Sequence, residues 1–311
     1  ANTALAKDGR VVAYTGDDER FEYMYKFVTT GKYDASNRSA NLRLLDRGTL
    51  YVAKFNDDGS GRWIPLTYGE GALTRANGWT SQADVLIRTR FAADAVGGTK
   101  MDRPEDIEVN PSNGKVYAAM TNNSNRTAAQ VDKANPRASN AHGHIIEITE
   151  AGNDPGAVNF AWSVFMLCGN PGSGDGSFPG KDPATLTSIS SPDNIAFDST
   201  GNLWIATDGQ PTGLSMNDSI YGVPVDGDSK GLLRRLVNGP FGCEIAALEF
   251  TPDDTTLFLS IQHPGEPGTG SNSAGSTVWN PTSKWPDGVA PPRPSVIAVV
   301  KTTPASPYIG S

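Results

Sequence analysis

The sequence of 311 residues predicts an all-β protein of the β-propeller class. Its apolar segments are short, and residues 10–15, 23–28 and 49–55 alternate between apolar and polar side chains, as strands do. Asp-Gly, Asn-Gly and Gly-Asn pairs, which favour tight turns, separate these segments. The 34 glycines and 22 prolines agree with a chain of many turns and argue against a helical bundle.

Internal repetition is the observation that favours a propeller over other all-β folds. Four stretches align with one another, and each reads as a strand, a turn and a second strand: residues 4–18, 104–123, 192–208 and 243–263. One or two further strands follow each stretch, for example residues 144–149 and 160–166. Repeated units of about four strands are typical of propeller blades, and an irregular β-sandwich is the alternative.

The repeats divide the chain into four predicted blades of one propeller domain, or of the C-terminal portion of one. The approximate blades are residues 1–75, 100–170, 188–240 and 241–311. Residues 4–7 read as the second half of an inner strand, which suggests further blades upstream. Residues 82–95 are the one segment whose apolar positions recur at three and four, so a short helix is expected there.

Composition limits the classes of partner. With 26 Lys and Arg against 34 Asp and Glu, the net charge is -8, which argues against nucleic acid and anionic membranes as partners. No run of 18 apolar residues occurs, so no membrane span is expected. An anionic substrate would need a bound cation to invert the local field. Cys168 and Cys243 fit either two separate buried thiols or a disulfide.

The repeats predict where functional side chains meet. In each blade the innermost strand forms an antiparallel hairpin with the next strand, so the start of one and the end of the other share a face. Glu105, Asp193 and Glu244 start inner strands. Seven polar residues end second strands: Asp17, Asp18, Asn122, Asn123, Asp208, Gln262 and His263. We expect all of them at one mouth of the central channel.

Carboxylates that point at one axis repel each other unless a cation neutralises them or they keep their protons. Oxygen ligands of this kind suit Ca²⁺ or a hard trivalent ion better than zinc or copper. The alternative is that the acidic residues cap turns and carry solvated charge. Arg20 is a candidate anion ligand, with a surface ion pair as its alternative role. His142 and His144 lie at a strand start, where we expect them to bond the backbone.

Six longer motifs carry a resemblance to a known family. They are residues 16–27, 103–107, 121–124, 143–146, 242–245 and 261–266, among them Gly-Asp-Asp-Glu-Arg-Phe-Glu-Tyr, Arg-Pro-Glu-Asp-Ile and Gln-His-Pro-Gly-Glu. These motifs resemble the PhoX family of bacterial alkaline phosphatases, and the resemblance runs from about residue 3 to about residue 300. Nearly the whole chain is therefore covered.

The resemblance implies a six-bladed propeller, of which this chain supplies about four blades. It also implies a channel cluster of iron and calcium, hydrolysis of a small-molecule phosphate ester, and export to the periplasm or the medium. The family's thiolate iron ligand lies in an N-terminal segment that has no counterpart here, and Cys168 and Cys243 belong to other motifs. The resemblance thus implies an N-terminal companion segment that completes the propeller.

The same resemblance assigns roles to residues. Glu105 and Glu244 match metal-binding positions of the family's inner strands, and Asp193 holds the equivalent place in its blade. The predicted metal ligands are Glu105, Asp193, Glu244, Asp18, Glu19, Asp208 and His263. The predicted catalytic residues are Glu105, Glu244 and Arg20.

Two other functions stay open from the sequence. Residues 192–198 with 201–206 are similar to one blade of the gluconolactonase superfamily, which predicts a lactonase with a single metal. A non-catalytic propeller stabilised by calcium is the third hypothesis. Turnover of a phosphate ester, turnover of a lactone, or neither would distinguish the three.

Overall fold

The structure is a computed structural model that describes residues 1–266, 277, 279–301 and 309. Sixteen β-strands make up most of the regular structure in these ranges, and the helices are short. Every strand pairing is antiparallel, and most pairings join consecutive strands. The all-β class predicted from the sequence is confirmed.

The first nine strands form one sheet, in the order β1-β2-β3-β4-β5-β9-β8-β7-β6. They are β1 (Asn2–Leu5), β2 (Arg10–Gly16), β3 (Met24–Lys32), β4 (Gly48–Phe55), β5 (Ser60–Pro65), β6 (Pro104–Val109), β7 (Val116–Met120), β8 (His144–Glu150) and β9 (Asn159–Leu167). The pairing of β5 with β9 joins two successive meanders at their outer edges. We call β1–β5 blade 1 and β6–β9 blade 2.

Two smaller meanders follow, and we call them blades 3 and 4. Blade 3 is the sheet of β10 (Pro192–Phe197), β11 (Leu203–Thr207), β12 (Ser219–Val223) and β13 (Arg234–Asn238). Blade 4 consists of β14 (Glu244–Phe250), β15 (Thr256–Gln262) and β16 (Ser295–Val300). Their strands follow chain order, as consecutive hairpins do.

The blades are arranged as in a propeller. Strand β6 packs against β1 and β2 on one side and against β10 on the other, and β10 packs in turn against β14. An apolar cluster fills the seam between each blade and the next. Representative pairs across the three seams are Tyr14 with Ile107, Tyr117 with Ile195, and Trp204 with Ile245. A two-sheet sandwich would bury one interior instead of three successive seams, so that alternative is wrong.

The helix expected at residues 82–95 is two helices. The α-helices are α1 (Arg38–Asn41), α2 (Gln82–Ile87), α3 (Thr89–Val96) and α4 (Gln210–Leu214). The backbone leaves helical geometry at Arg88, with φ -102° and ψ 42°. The Arg88 guanidinium turns back to Asp84, with two hydrogen bonds of 2.7 Å, and lies 4.2 Å from the Trp79 ring. These contacts tie Arg88 to the helix before it, where the break occurs.

Cys168 and Cys243 are buried free thiols, as one of the two sequence alternatives predicted. They lie in different seams, Cys168 between blades 2 and 3 and Cys243 between blades 3 and 4. Within the described ranges, no helix has the length and apolar character that crossing a membrane requires.

Candidate metal centre at the channel mouth

The hairpin registers bring the predicted acidic residues to one end of the blades. The first residue of each inner strand pairs with the last residue of the next strand: Pro104 with Met120, Pro192 with Thr207, and Glu244 with Gln262. The side chains that start the inner strands therefore lie beside those that follow the second strands. We call this end of blades 1–4 the channel mouth. Asp18, Glu105, Asp193, Asp208 and Glu244, which interact there, are the mouth cluster.

A repeated backbone irregularity shapes the mouth. The inner strands of blades 2, 3 and 4 each carry a bulge near their start, between residues 104 and 107, 192 and 195, and 246 and 248. Two residues before each acidic residue, the backbone is left-handed: φ is 56° at Arg103, 53° at Ser191 and 66° at Gly242. Bulges re-aim side chains, and strained residues of this kind concentrate at functional sites.

Gly16 allows blade 1 to approach the mouth. A Cβ atom at this position would lie 1.8 Å from the Pro104 carbonyl oxygen, far inside van der Waals contact. Only glycine lets the end of β2 touch the start of β6. Asp18, two residues later, is thereby placed beside Glu105, and its carboxylate acts on the pKa of Glu105.

The mouth cluster shares one electrostatic field. Burial, together with the charges of Glu105, Asp208, Glu244 and Asp18, raises the pKa of Asp193 to about 9. Burial and the neighbouring Asp18 carboxylate raise the pKa of Glu105 to about 8. The pKa of Asp208 is raised by burial and by Glu244. These directions mean that the cluster cannot carry its full negative charge without a cation or bound protons.

Two cationic side chains border the cluster. Arg103 donates to Asp18 at 2.8 Å, and its charge opposes the rise in the pKa of Glu105. His263 Nε2 lies 3.1 Å from Glu244 Oε2. Burial disfavours the charged imidazole, but the carboxylates of Glu244 and Glu266 raise the pKa of His263 above its ordinary value. Arg103 was not predicted as a site residue, although it stands in the Arg-Pro-Glu motif.

Asp193 differs from the other buried acidic residues. Its side chain is almost fully buried, and no residue that the structure describes donates a hydrogen bond to its carboxylate. Buried carboxylates normally have such donors. The Arg103 guanidinium acts on Asp193 through its charge, but among the described residues Asp193 has no hydrogen-bonded cationic partner.

Glu19 and Arg20 make local contacts. Glu19 is exposed, and its carboxylate accepts a hydrogen bond of 2.6 Å from the backbone N–H of Arg20. The Arg20 guanidinium lies 3.8 Å from the same carboxylate. Its Nε atom is buried without a hydrogen-bond partner among the described residues. Among the residues that the structure describes, no hydrogen bond joins Glu19 to the mouth cluster.

The two other histidines behave differently from each other. His144 is fully buried, and its Nε2 lies 2.8 Å from the Ala134 carbonyl oxygen, so the predicted backbone contact is confirmed. His142 Nδ1 lies 3.0 Å from the hydroxyl oxygen of Ser190, so the same prediction is wrong for His142. The long connection between β7 and β8, residues 121–143, brings this ring to a serine of blade 3, which strand periodicity does not reveal.

The donor chemistry of the mouth cluster fits a hard cation. Its carboxyl groups repel one another, and all of them except the exposed Asp18 are at least partly buried, which is the environment that a bound Ca²⁺ stabilises. Among the described residues, however, no three His, Cys, Asp or Glu side chains lie close enough to hold one ion. The fit is thus one of charge and ligand type. Burial raises the pKa of both Cys168 and Cys243 to about 12, so neither thiol is ionised as an iron ligand would be.

The fold and the mouth define a propeller-type protein with an acidic, oxygen-rich channel site. The sequence model of the family described as alkaline phosphatase PhoX matches residues 1–265, and the chain belongs to this family. The structure of Pseudomonas fluorescens PhoX in complex with vanadate, a transition state analogue, is 38% identical with a TM-score of 0.83. It covers 96% of this chain and 52% of its own, so this chain spans about half the length of that protein.

Two further solved structures match weakly. A luciferin-regenerating enzyme is 11% identical with a TM-score of 0.34, covering 88% of this chain and 73% of its own. A levansucrase mutant from Bacillus subtilis is 11% identical with a TM-score of 0.32, covering 83% and 60%. Scores this low support no argument. None of the curated proteins matches the chain in sequence. The predicted resemblance and the predicted propeller are both confirmed by the PhoX match.

Proposed function

We propose that this protein hydrolyses phosphomonoesters and releases inorganic phosphate, with metal ions held at the channel mouth. Membership of the PhoX family supports the reaction, and the vanadate complex of the Pseudomonas fluorescens relative supports a phosphate ester as the substrate. The observation that carries the metal requirement is Asp193, a buried carboxylate that faces four other carboxyl groups without a donor.

The mouth cluster would hold the metal. We propose Glu105, Asp193 and Glu244 as ligands, with Asp18 and Asp208 beside them. Their hard oxygens suit calcium, and the iron of the family is proposed on the resemblance alone. When bound, such ions act as Lewis acids that offset phosphate charge and orient the reacting oxygen.

The remaining predicted residues act at the border of the cluster. Glu244 is held by two neighbours, because Gln262 Nε2 donates to its Oε2 at 2.7 Å and His263 lies 3.1 Å away. We propose His263 as a further ligand or as the residue that orients Glu244. Arg20, whose buried Nε is unpartnered among the described residues, is proposed to contact an ester oxygen, and Glu19 stays a candidate ligand.

Hydrolysis of p-nitrophenyl phosphate by single variants tests the proposal. Asp193→Asn and Glu244→Gln keep the shape of each side chain and remove its charge, so we expect turnover to fall on the order of a hundredfold or more. Asp58→Asn is the matched control, because Asp58 is exposed and bonds only the nearby turn residue Ser60. Full turnover in both mouth variants would overturn the proposal.

The same assay separates the other two hypotheses. Hydrolysis of a lactone without phosphatase turnover would favour the lactonase. Calcium binding that stabilises the protein, with no turnover of any ester, would favour a non-catalytic propeller. Release of inorganic phosphate by every active preparation would support the phosphatase hypothesis.

We further propose an exported protein in which additional propeller sequence covers blade 4. The pairing of β15 with β16 places Phe258, Val296 and Val300 on one face, and their exposed fractions are 42%, 69% and 56%. An apolar sheet face of this kind is typical of an interface. In the purified protein, Val296→Cys should resist a thiol reagent, and rapid labelling would contradict the proposal that this face is covered.

The proposed export is tested by cell fractionation. We expect the enzyme in the periplasm or the medium, and enzyme in the cytoplasm would contradict export.

A further inference from the structure

His142 contacts the segment that leads into the inner strand of blade 3. It lies just before β8, at the channel mouth. Its Nδ1 is 3.0 Å from Ser190 Oγ, and its carbonyl oxygen accepts a hydrogen bond of 2.8 Å from the Ser191 N–H. One residue of blade 2 thus binds two successive residues of blade 3 through different groups. Those residues directly precede Pro192, the first residue of β10.

The segment that His142 holds is strained. Ser191 has a φ of 53°, a left-handed conformation that a residue with a Cβ atom rarely adopts. Such a conformation persists only where the surrounding structure fixes it. At the matching place in blade 4, Gly242 adopts φ 66° without that penalty. Blade 3 therefore needs an external support that blade 4 does not.

The strained serine is connected to two acidic residues of the mouth cluster. Asp193 follows it by two positions, and the backbone N–H of Asp208 donates to the Ser191 carbonyl oxygen at 3.0 Å. A change at Ser191 would therefore move both carboxylates. The one other brace from a described side chain is Gln210, whose Oε1 accepts from the Ser190 N–H at 3.2 Å.

A catalytic serine–histidine pair does not explain the contact. Ser190 is fully buried, so its hydroxyl cannot reach a substrate. The hydroxyl also lies 3.4 Å from that of Ser191, within the same buried segment. The contact is thus suited to holding the backbone in place.

We propose that His142 is a positioning residue, which fixes the left-handed turn at Ser191 and so holds Asp193 and Asp208 at the channel mouth. The part of this inference that concerns metal binding rests on the proposed function. The part that concerns the backbone does not, because the contacts of His142 with Ser190 and Ser191 include none of the proposed metal ligands.

Hydrogen–deuterium exchange of the chelator-treated protein tests the clamp without reference to metal. His142→Ala should raise the exchange of residues 190–195 and of Asp208 about tenfold or more, and leave β6 and β14 unchanged. His142→Asn keeps a side-chain amide near the position of Nδ1 and should retain most of the protection. Ser191→Gly added to His142→Ala should lower the exchange again, because glycine adopts the turn unaided. Unchanged exchange in His142→Ala would overturn the proposal.

Calcium titration of the same variants tests the link to the site. We expect His142→Ala to weaken Ca²⁺ binding about tenfold, as loss of a positioning contact does, with recovery in the Asn variant and the Ser191→Gly double variant. A merely structural role would lower the melting temperature without this pattern of rescue, and would overturn the proposal. If exchange changes as expected but Asp193→Asn binds Ca²⁺ as well as the wild type, the proposed function fails and the clamp stands.

Discussion

Two buried carboxylates in this protein have opposite surroundings. Glu150, in the seam between blades 1 and 2, accepts hydrogen bonds from Lys26 Nζ at 3.0 Å, from the Tyr14 hydroxyl at 2.8 Å and from Trp63 Nε1 at 3.0 Å. Asp193, at the channel mouth, has no hydrogen-bond donor among the described residues, and four carboxyl groups act on it against the single guanidinium of Arg103. Both side chains are almost fully removed from water.

Burial alone therefore does not mark a functional carboxylate. Lys26 neutralises Glu150 and also donates to the Pro155 and Ala157 carbonyl oxygens, so every charged group in that cluster is paired. A buried pair of this kind is part of the structure. Asp193 is buried without a hydrogen bond from the described residues, and the charge of Arg103 is outnumbered by those of four carboxyl groups, so an external cation would supply the missing compensation.

Replacement of Glu150 should change the free energy of unfolding more than any other substitution considered below. Glu150→Ala leaves the Lys26 ammonium buried and unpaired, so we expect the free energy of unfolding to fall by about 3–5 kcal/mol in urea denaturation. Glu70→Ala is the control, because Glu70 is exposed. A loss below about 1 kcal/mol would show that the two carboxylates do not differ as described.

Replacement of Asp193 should stabilise the metal-free protein, whereas replacement of Glu150 destabilises it. Asp193 must take up a proton to be buried without metal at pH 7, whereas Asn is neutral in both states. In chelator-treated Asp193→Asn we therefore expect the free energy of unfolding to rise by about 1–3 kcal/mol at pH 7. The same urea denaturation measures it. A fall similar to that of Glu150→Ala would mean that Asp193 has a structural partner.

The pH dependence of stability should differ between the wild type and Asp193→Asn. In the metal-free protein, folded Asp193 and Glu105 keep protons to about pH 9 and 8, whereas the unfolded chain releases them near pH 4. Their stabilising contribution is complete below pH 4 and is lost as pH rises to 8–9, by at most about 1.4 kcal/mol per pH unit for each group. Unfolding at pH 5, 7 and 9 should show a shallower slope in Asp193→Asn. Equal slopes would contradict the raised pKa values.

The smallest changes in stability are expected for two nearby arginines, Arg88 at the break between α2 and α3 and Arg90 in α3. Arg90 binds Asp17 through two hydrogen bonds of 2.8 and 2.6 Å, next to Asp18 of the mouth, whereas Arg88 binds Asp84 in the same manner away from it. Both pairs are partly exposed, so Arg90→Gln and Arg88→Gln should each change stability by less than about 1 kcal/mol. Calcium titration should show weaker binding, by a few-fold, in Arg90→Gln only. Equal calcium affinities in the two variants would show that Arg90 does not support the metal site.

The sequence was sufficient for the hairpins and for the end at which their polar residues meet. Alternation and turn residues are local signals, and they placed Glu105, Asp193 and Glu244 at the starts of inner strands, where the structure has them. The antiparallel hairpin then determined that Asp208 lies beside Asp193.

Other features depend on contacts between distant segments. The left-handed turns at Arg103 and Ser191 and the bulges after them have no local residue signal, because neither position is a glycine. The pairing of β5 with β9 joins segments about a hundred residues apart, which periodicity does not report. The helix likewise breaks at Arg88, whose guanidinium contacts Trp79 outside the helical repeat.

The metal content of the purified protein shows whether Asp193 binds a cation. Wild type and Asp193→Asn, prepared in parallel, are analysed for calcium and iron by inductively coupled plasma mass spectrometry and normalised to protein. We expect about one calcium or more per wild-type chain, with iron beside it, and less than about half of that calcium in the variant. Equal calcium in the two proteins, or none in either, would contradict the claim that Asp193 is buried at the mouth to bind a cation.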